Sequence, residues 1–151
     1  MNNIERDVYN LYKSIQISHP EQLKIQSIAN KLRIKVLYGT VSFRFNNAIV
    51  LKKTSAHKEW QMFGHELCHV LRHVGNQLNM HHLFVQLQEW QADYFAYHFC
   101  VPTFMLLNLR EVSVYVIVDL FNVEYDFALR RLEMFESKII KRRNSYALQE
   151  S

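Results

Sequence analysis

The sequence predicts an α+β domain that is mainly helical, with a small antiparallel β-sheet and a helix-turn-helix-like pair at the C-terminal end. Three observations predict it. Only 3 Gly and 2 Pro interrupt 151 residues, of which 49% are hydrophobic, ample for one packed core. Apolar residues recur at spacings of three and four over most of the chain, the period of helices with one buried face. Between about residues 34 and 51 the period shortens to two, as in strands. One domain, 1–151, is expected: a core to about residue 110 and a helical pair, about 111–137, packed on it.

Ile4, Val8, Leu11, Tyr12 and Ile15 give a first amphipathic helix, and His19-Pro20 interrupts the pattern before a second from about Glu21 to Leu32. Ile34 to Tyr38 is a short strand stopped by Gly39. Val41, Phe43 and Phe45 alternate with polar residues as a second strand, and Asn46-Asn47 offers a tight turn into a third, Ala48 to Leu51. A helix from about Ser55 to Val74 follows, with Ser55 as N-cap and Gly75 as stop. The polar stretch from Gly75 to about His81 is a loop, with His81 and His82 expected to be exposed. A further helix runs from about His82 to Val101, and Phe104 to Leu107 continue as a short one after Pro102. Val114 to Phe121, a turn at Asn122-Val123, and a helix with Tyr125, Ala128, Leu129, Leu132 and Phe135 at core spacing form the terminal pair. Glu124 stands where a small capping residue is usual.

The chemistry concentrates in His65-Glu66-Leu67-Cys68-His69, which reads H-E-x-x-H. Histidines four apart share one helix face, so both imidazoles are able to reach one metal ion. Glu66 lies about 100° further round, beside the metal, where it suits a general base acting on water. Trp60, Phe63, Leu67, Val70, Leu71 and Val74 form an apolar stripe, and His65, His69 and His73 lie roughly opposite its middle. A chance pair is the competing reading in a chain with 8 histidines. Separate packing and chemical faces favour the metal.

A third ligand decides the kind of site. His73 lies eight residues from His65, about 12 Å along the axis, too far to close on the same ion. The metzincin pattern fails, because Arg72 and Gly75 stand where its Gly and His are needed. Glu89 is the better candidate. Ala92 and Ala96 line its face with small side chains that admit a neighbouring helix, and Asp93 on the same face suits the free N–H of a ligand histidine. Taken alone, Glu89 and Asp93 would read as an ordinary solvated face. Cys68 is a conceivable extra soft ligand, but its turn toward the packing side suits a buried thiol.

These motifs, with Leu71-Arg72-His73, Gly75-Asn76-Gln77, Glu89 to Ala96, Val101-Pro102, Phe104-Met105-Leu106 and Leu120 to Val123, resemble the ImmA/IrrE family of zinc metallopeptidases over roughly Leu23 to Phe135. The resemblance implies a zincin-like fold, with His65, His69 and Glu89 as Zn2+ ligands and Glu66 as catalytic base. It is nearest to the short ImmA-like members of phages and integrative elements. Their activity implies an anti-repressor whose substrate is a helix-turn-helix repressor protein. In zincin-like peptidases a sheet edge receives the extended substrate as an added strand. Tyr94, Tyr97 and His98 are possible helpers in catalysis.

The remaining features bound the alternatives. Two cysteines, Cys68 and Cys100, are too few for a secreted disulfide framework. No leader pattern opens the chain and no apolar run is long enough for a bilayer, so a cytoplasmic protein without membrane contact is expected. The net charge of +4 is modest. Arg130, Arg131, Lys138, Lys141, Arg142 and Arg143 make the C-terminal end basic, yet a DNA reader would concentrate charge on its recognition helix. Direct DNA binding stays open, as does docking of a protein there. The rival to a peptidase is a non-proteolytic DNA- or protein-binding regulator, or an antitoxin-like partner. A purely structural zinc site, however, would normally be closed by four ligands.

Overall fold

A computed structural model of the chain describes residues 3–45, 47–72 and 82–150. The elements in order are α1 (Asn3–Ser14), a 3-10 turn (Pro20–Gln22), α2 (Ile25–Leu32), β1 (Lys35–Gly39), β2 (Phe43–Phe45), β3 (Ala48–Lys52), α3 (Ala56–Arg72), α4 (His82–Cys100), α5 (Thr103–Leu106), α6 (Val114–Phe121) and α7 (Tyr125–Glu150). The α+β, mainly helical class is as expected. The second predicted helix is split, with its first residues in the 3-10 turn around Pro20. His73, Val74, the expected loop from Gly75 and His81 lie outside the described residues.

The core is built around the pair α3 and α4. Trp60, Phe63 and Leu67 of α3 and Ala92, Phe95, Ala96, Phe99 and Cys100 of α4 are all buried. Phe99 is the hub, with ring centroids 5.2 Å from Trp60, 5.9 Å from Phe63 and 5.2 Å from Tyr12. Tyr12 donates its hydroxyl to the Phe99 carbonyl at 2.7 Å, which anchors α1 on α4 without leaving a buried polar group unpaired. Leu71, placed on the apolar stripe by its spacing, is exposed.

Gly64 sets how closely the two helices pack. A Cβ there would lie 3.0 Å from Cys100 Sγ, 3.2 Å from Phe99 Cδ1 and 3.4 Å from Ala96 Cα. The close approach expected from Ala92 and Ala96 is met by a glycine on the facing helix.

The sheet corrects the expected topology. Its order is β1-β3-β2, with β1 parallel to β3 and β2 antiparallel to it, so it is mixed rather than antiparallel. The most apolar strand takes the middle. Ile49 and Leu51 of β3 are both fully buried and face α3, while the three-residue β2 occupies an edge. Register then determines what β2 offers the helix. Arg44 pairs with Ile49, and residues opposite each other on antiparallel strands point to the same face. Arg44 therefore faces α3, and Phe43 is exposed.

The two terminal helices form, but α7 runs on to Glu150, past the expected end of the pair near residue 137. Ser113 caps α6 by accepting from the Val116 N–H, and Asn122 takes the left-handed conformation, φ 55°, that ends it. Glu124 still starts α7 through its carbonyl, which accepts from the Ala128 N–H. Its side chain serves elsewhere. Gln61 on α3 donates to Glu124 Oε1 at 3.1 Å and accepts from the Glu124 N–H at 2.8 Å.

Candidate metal centre

The site starts with the geometry of α3. Ser55 Oγ accepts from the Lys58 N–H at 3.3 Å, and Glu59 reaches back to the Thr54 N–H at 3.2 Å, so the first turn is capped from both sides. From that start, His65 and His69 fall one turn apart on the same face, with ring centroids 5.1 Å apart. Leu67 and Cys68 turn into the core and are fully buried. Cys68 thus remains a packed thiol.

The small faces of Gly64, Ala92 and Ala96 bring Glu89 of α4 against the two rings. His65 Nε2 lies 2.8 Å from Glu89 Oε2, and His69 Nε2 lies 3.0 Å from Glu89 Oε1. One ligand atom from each of His65, His69 and Glu89 lies within 4.8 Å of the others, the only such metal-capable group among the described residues. Asp93, one turn along α4, takes the other side of His65, with Oδ1 2.7 Å from Nδ1.

The donor chemistry tests whether this group fits a metal. With the N–H of the His65 ring at Nδ1, against Asp93, the lone pair of Nε2 would face the Glu89 carboxylate, as it must in a metal ligand. Two nitrogens and a carboxylate oxygen form a set that suits a tetrahedral zinc site, in which bonds of about 2.0–2.1 Å put ligand atoms about 3.3 Å apart. The group fits.

Glu66 lies at the rim of this group, buried on the side of the sheet. Its carboxyl is raised above the usual carboxylate range, chiefly by burial, with His65 and Arg44 pulling it down and Glu89 pushing it up. Arg44 Nη1 stands 3.8 Å from Glu66 Oε2, which makes no hydrogen bond among the described residues. Sequence reasoning missed Arg44. No local pattern marks it, because its position depends on which edge β2 occupies.

A cleft of about 370 Å³ opens beside His65 and Asp93, walled by Gln61 and Met62 of α3, Ala96 and Tyr97 of α4 and Phe127 of α7. Tyr97 stacks on Phe127 with centroids 4.4 Å apart. Of the three candidate helpers, only Tyr97 lines this cleft. Tyr94 and His98 line a different cavity, on the next face of α4.

Comparison with known proteins now bears on this arrangement. The M78 peptidases, through their IrrE N-terminal-like domain, match residues 21–133. The chain belongs to this metallopeptidase family. Two relatives come from Bacillus subtilis strain 168. The chain is 42% identical over 149 residues to phage-like element PBSX protein XkdA, covering 91% of this chain and 75% of that one. It is 35% identical over 148 residues to the uncharacterized protein YqaB, covering 91% of this chain and 86% of the relative. No solved structure matches. Among the described residues, no helix is long and apolar enough to cross a membrane.

Proposed function

We propose that this M78 member is a zinc-dependent endopeptidase in which His65, His69 and Glu89 hold the ion and Glu66 is the base. The observation that carries the reading is the convergence of two imidazoles and one carboxylate, with a second carboxylate beside them that is not needed as a ligand. Bound there, zinc would acidify water and polarise the scissile carbonyl.

The chain's own groups perform the remaining work. Glu66 takes a proton from the attacking water at Oε2 and delivers it to the leaving amine. Its raised pKa suits both transfers. Asp93 holds the His65 ring by its Nδ1–H and so directs Nε2 inward. Arg44 keeps a positive charge beside Glu66 and steadies the carboxylate that forms after each turnover. The free edge of β2, which carries Arg44 toward α3, receives the extended substrate as an added strand. The cleft over Met62, Ala96 and Phe127 then takes a neighbouring substrate side chain. The terminal helices work as one unit with the peptidase core through the Gln61–Glu124 pair.

For substrate, the reading is a helix-turn-helix repressor of a phage or mobile element, cut so that repression is relieved. It rests on the ImmA-like motifs and on a relative named for a phage-like element. Of the basic residues of α7, Arg131 is buried inside the protein and so is not available to a nucleic acid.

The test is cleavage of a helix-turn-helix repressor taken from the same phage or mobile element. Wild-type protein with zinc should cut it at a defined bond, whereas Glu66→Gln should keep its zinc and lose turnover. Unchanged cleavage by Glu66→Gln would remove Glu66 from the base role. Zinc-loaded wild type that leaves the repressor intact would shift the reading toward a regulator.

A further inference from the structure

Away from the metal group, a second cavity of about 370 Å³ lies between α1, α4 and α7, with Glu5, Tyr94, His98, Arg130, Lys138 and Lys141 on its walls. Beneath it runs a buried polar network. Arg131 donates to the Val101 carbonyl at 2.9 Å and to Thr103 Oγ1 at 2.8 Å, and Thr103 in turn donates to Glu5 Oε1 at 2.8 Å. Lys138 donates to the other oxygen of Glu5.

Two independent observations make this cavity more than a crevice. The first is its charge. Arg130, Arg131, Lys138 and Lys141 stand against two carboxylates, and both carboxylates are already engaged: Glu5 by Thr103 and Lys138, Glu133 by Arg130 at 3.4 Å. Among the described residues, Lys141 has no hydrogen-bond or ion-pair partner. The second is His98. It is 3% exposed, lines the cavity, and neither ring nitrogen has a hydrogen-bond partner among the described residues. Buried polar groups are paired as a rule, because leaving one unpaired is costly. Burial first, and then the charge of Arg131, hold His98 neutral, with a pKa near 3. It therefore offers one N–H.

The class of ligand follows from these donors. A cation would face a surplus of positive charge, and an apolar molecule would leave the imidazole unpaired. An oxyanion accepts from the imidazole N–H and neutralises the surplus at once. We infer that this cavity is a binding site for a small oxyanion of the phosphate or carboxylate type, held by Arg130 and Lys141 of α7 and the N–H of His98 on α4. Bound there, the anion fastens α7 to the helix that carries Glu89 and Asp93. The site is independent of the metal.

The experiment is a titration of the metal-free full chain with inorganic phosphate, and separately with acetate, at pH 7 and constant ionic strength with chloride as the balancing anion. The readout is the His98 imidazole resonance, assigned by its loss in His98→Gln. A saturable shift with phosphate only assigns a tetrahedral anion, and one with acetate only assigns a carboxylate. Lys141→Ala changes an exposed side chain and should keep the fold. It should weaken the response by about fivefold or more. No shift beyond the chloride control with either anion overturns the inference, and so does an undiminished response in Lys141→Ala.

Discussion

Replacing Gly64 by Ala tests whether the metal group depends on the close contact of α3 and α4. The new Cβ would meet Cys100 Sγ at 3.0 Å, Phe99 Cδ1 at 3.2 Å and Ala96 Cα at 3.4 Å. Comfortable contacts lie at about 3.5–4.0 Å, so the helices or side chains must give by a few tenths of an ångström. Two effects compete. Alanine is favoured over glycine in a helix by about 1 kcal/mol. Overpacking a close-packed interior costs about 1–3 kcal/mol. Here Phe99 and Cys100 are fully buried, and the Ala96 atom is backbone that no rotamer change moves away. Overpacking should therefore win, with a net loss of up to about 2 kcal/mol, or up to about 8 °C in Tm. Zinc affinity should fall too, because Glu89 rides on α4 and both histidines ride on α3. Calorimetry of the metal-free protein and zinc competition against a chelator read the two effects. Adding Cys100→Ala removes the nearest neighbour and should recover part of both losses. A Gly64→Ala protein with a higher Tm and unaltered zinc affinity would refute the packing argument.

Other outcomes follow from single contacts. Asp93→Ala should weaken zinc binding by about 10–100-fold, by freeing the His65 ring, while thermal stability barely moves, since Asp93 is exposed. Equal zinc affinity in the variant would show that His65 is oriented by something else. Acid should destabilise the fold through His98. Its pKa falls from the ordinary 6.5 to about 3 on folding, so the unfolded chain binds a proton that the folded chain refuses. That contribution is complete above about pH 6.5 and is lost as pH falls toward 3, by up to about 5 kcal/mol. Denaturant titrations between pH 7 and 4 should show a shallower loss for His98→Gln than for wild type, and parallel curves would contradict the assignment.

Much of this was legible in the chain because helix periodicity and H-E-x-x-H spacing are local properties. The stripe through Val8 and Tyr12, the N-cap at Ser55 and the facing of His65 and His69 all follow from residues within a few positions of one another. Glu89 and Asp93 were legible as candidates because small residues on the same face forecast a helix contact. The strand order was not. Whether β1 pairs with β3 or with β2 depends on β2 taking the far edge, and no residue in the turn records that choice. Arg44 follows from it, since alternation reveals which residues share a face but not which face meets α3. Gly64 carries no periodic signal, and its meaning emerges only against Ala96, Phe99 and Cys100. Arg131 was open to a better reading. It stands among the residues that make the C-terminal end basic, yet its spacing of three from Ala128 and four from Phe135 puts it on the buried stripe of α7.

The central claim is that His65, His69 and Glu89 bind one zinc ion together. Its most direct test is the zinc content of purified wild type, Glu66→Gln and Glu89→Ala, measured after dialysis against a weak chelator. The account predicts one zinc per chain in wild type and in Glu66→Gln, and strongly reduced zinc in Glu89→Ala. Full retention of zinc by Glu89→Ala, or no zinc in wild type, would contradict it.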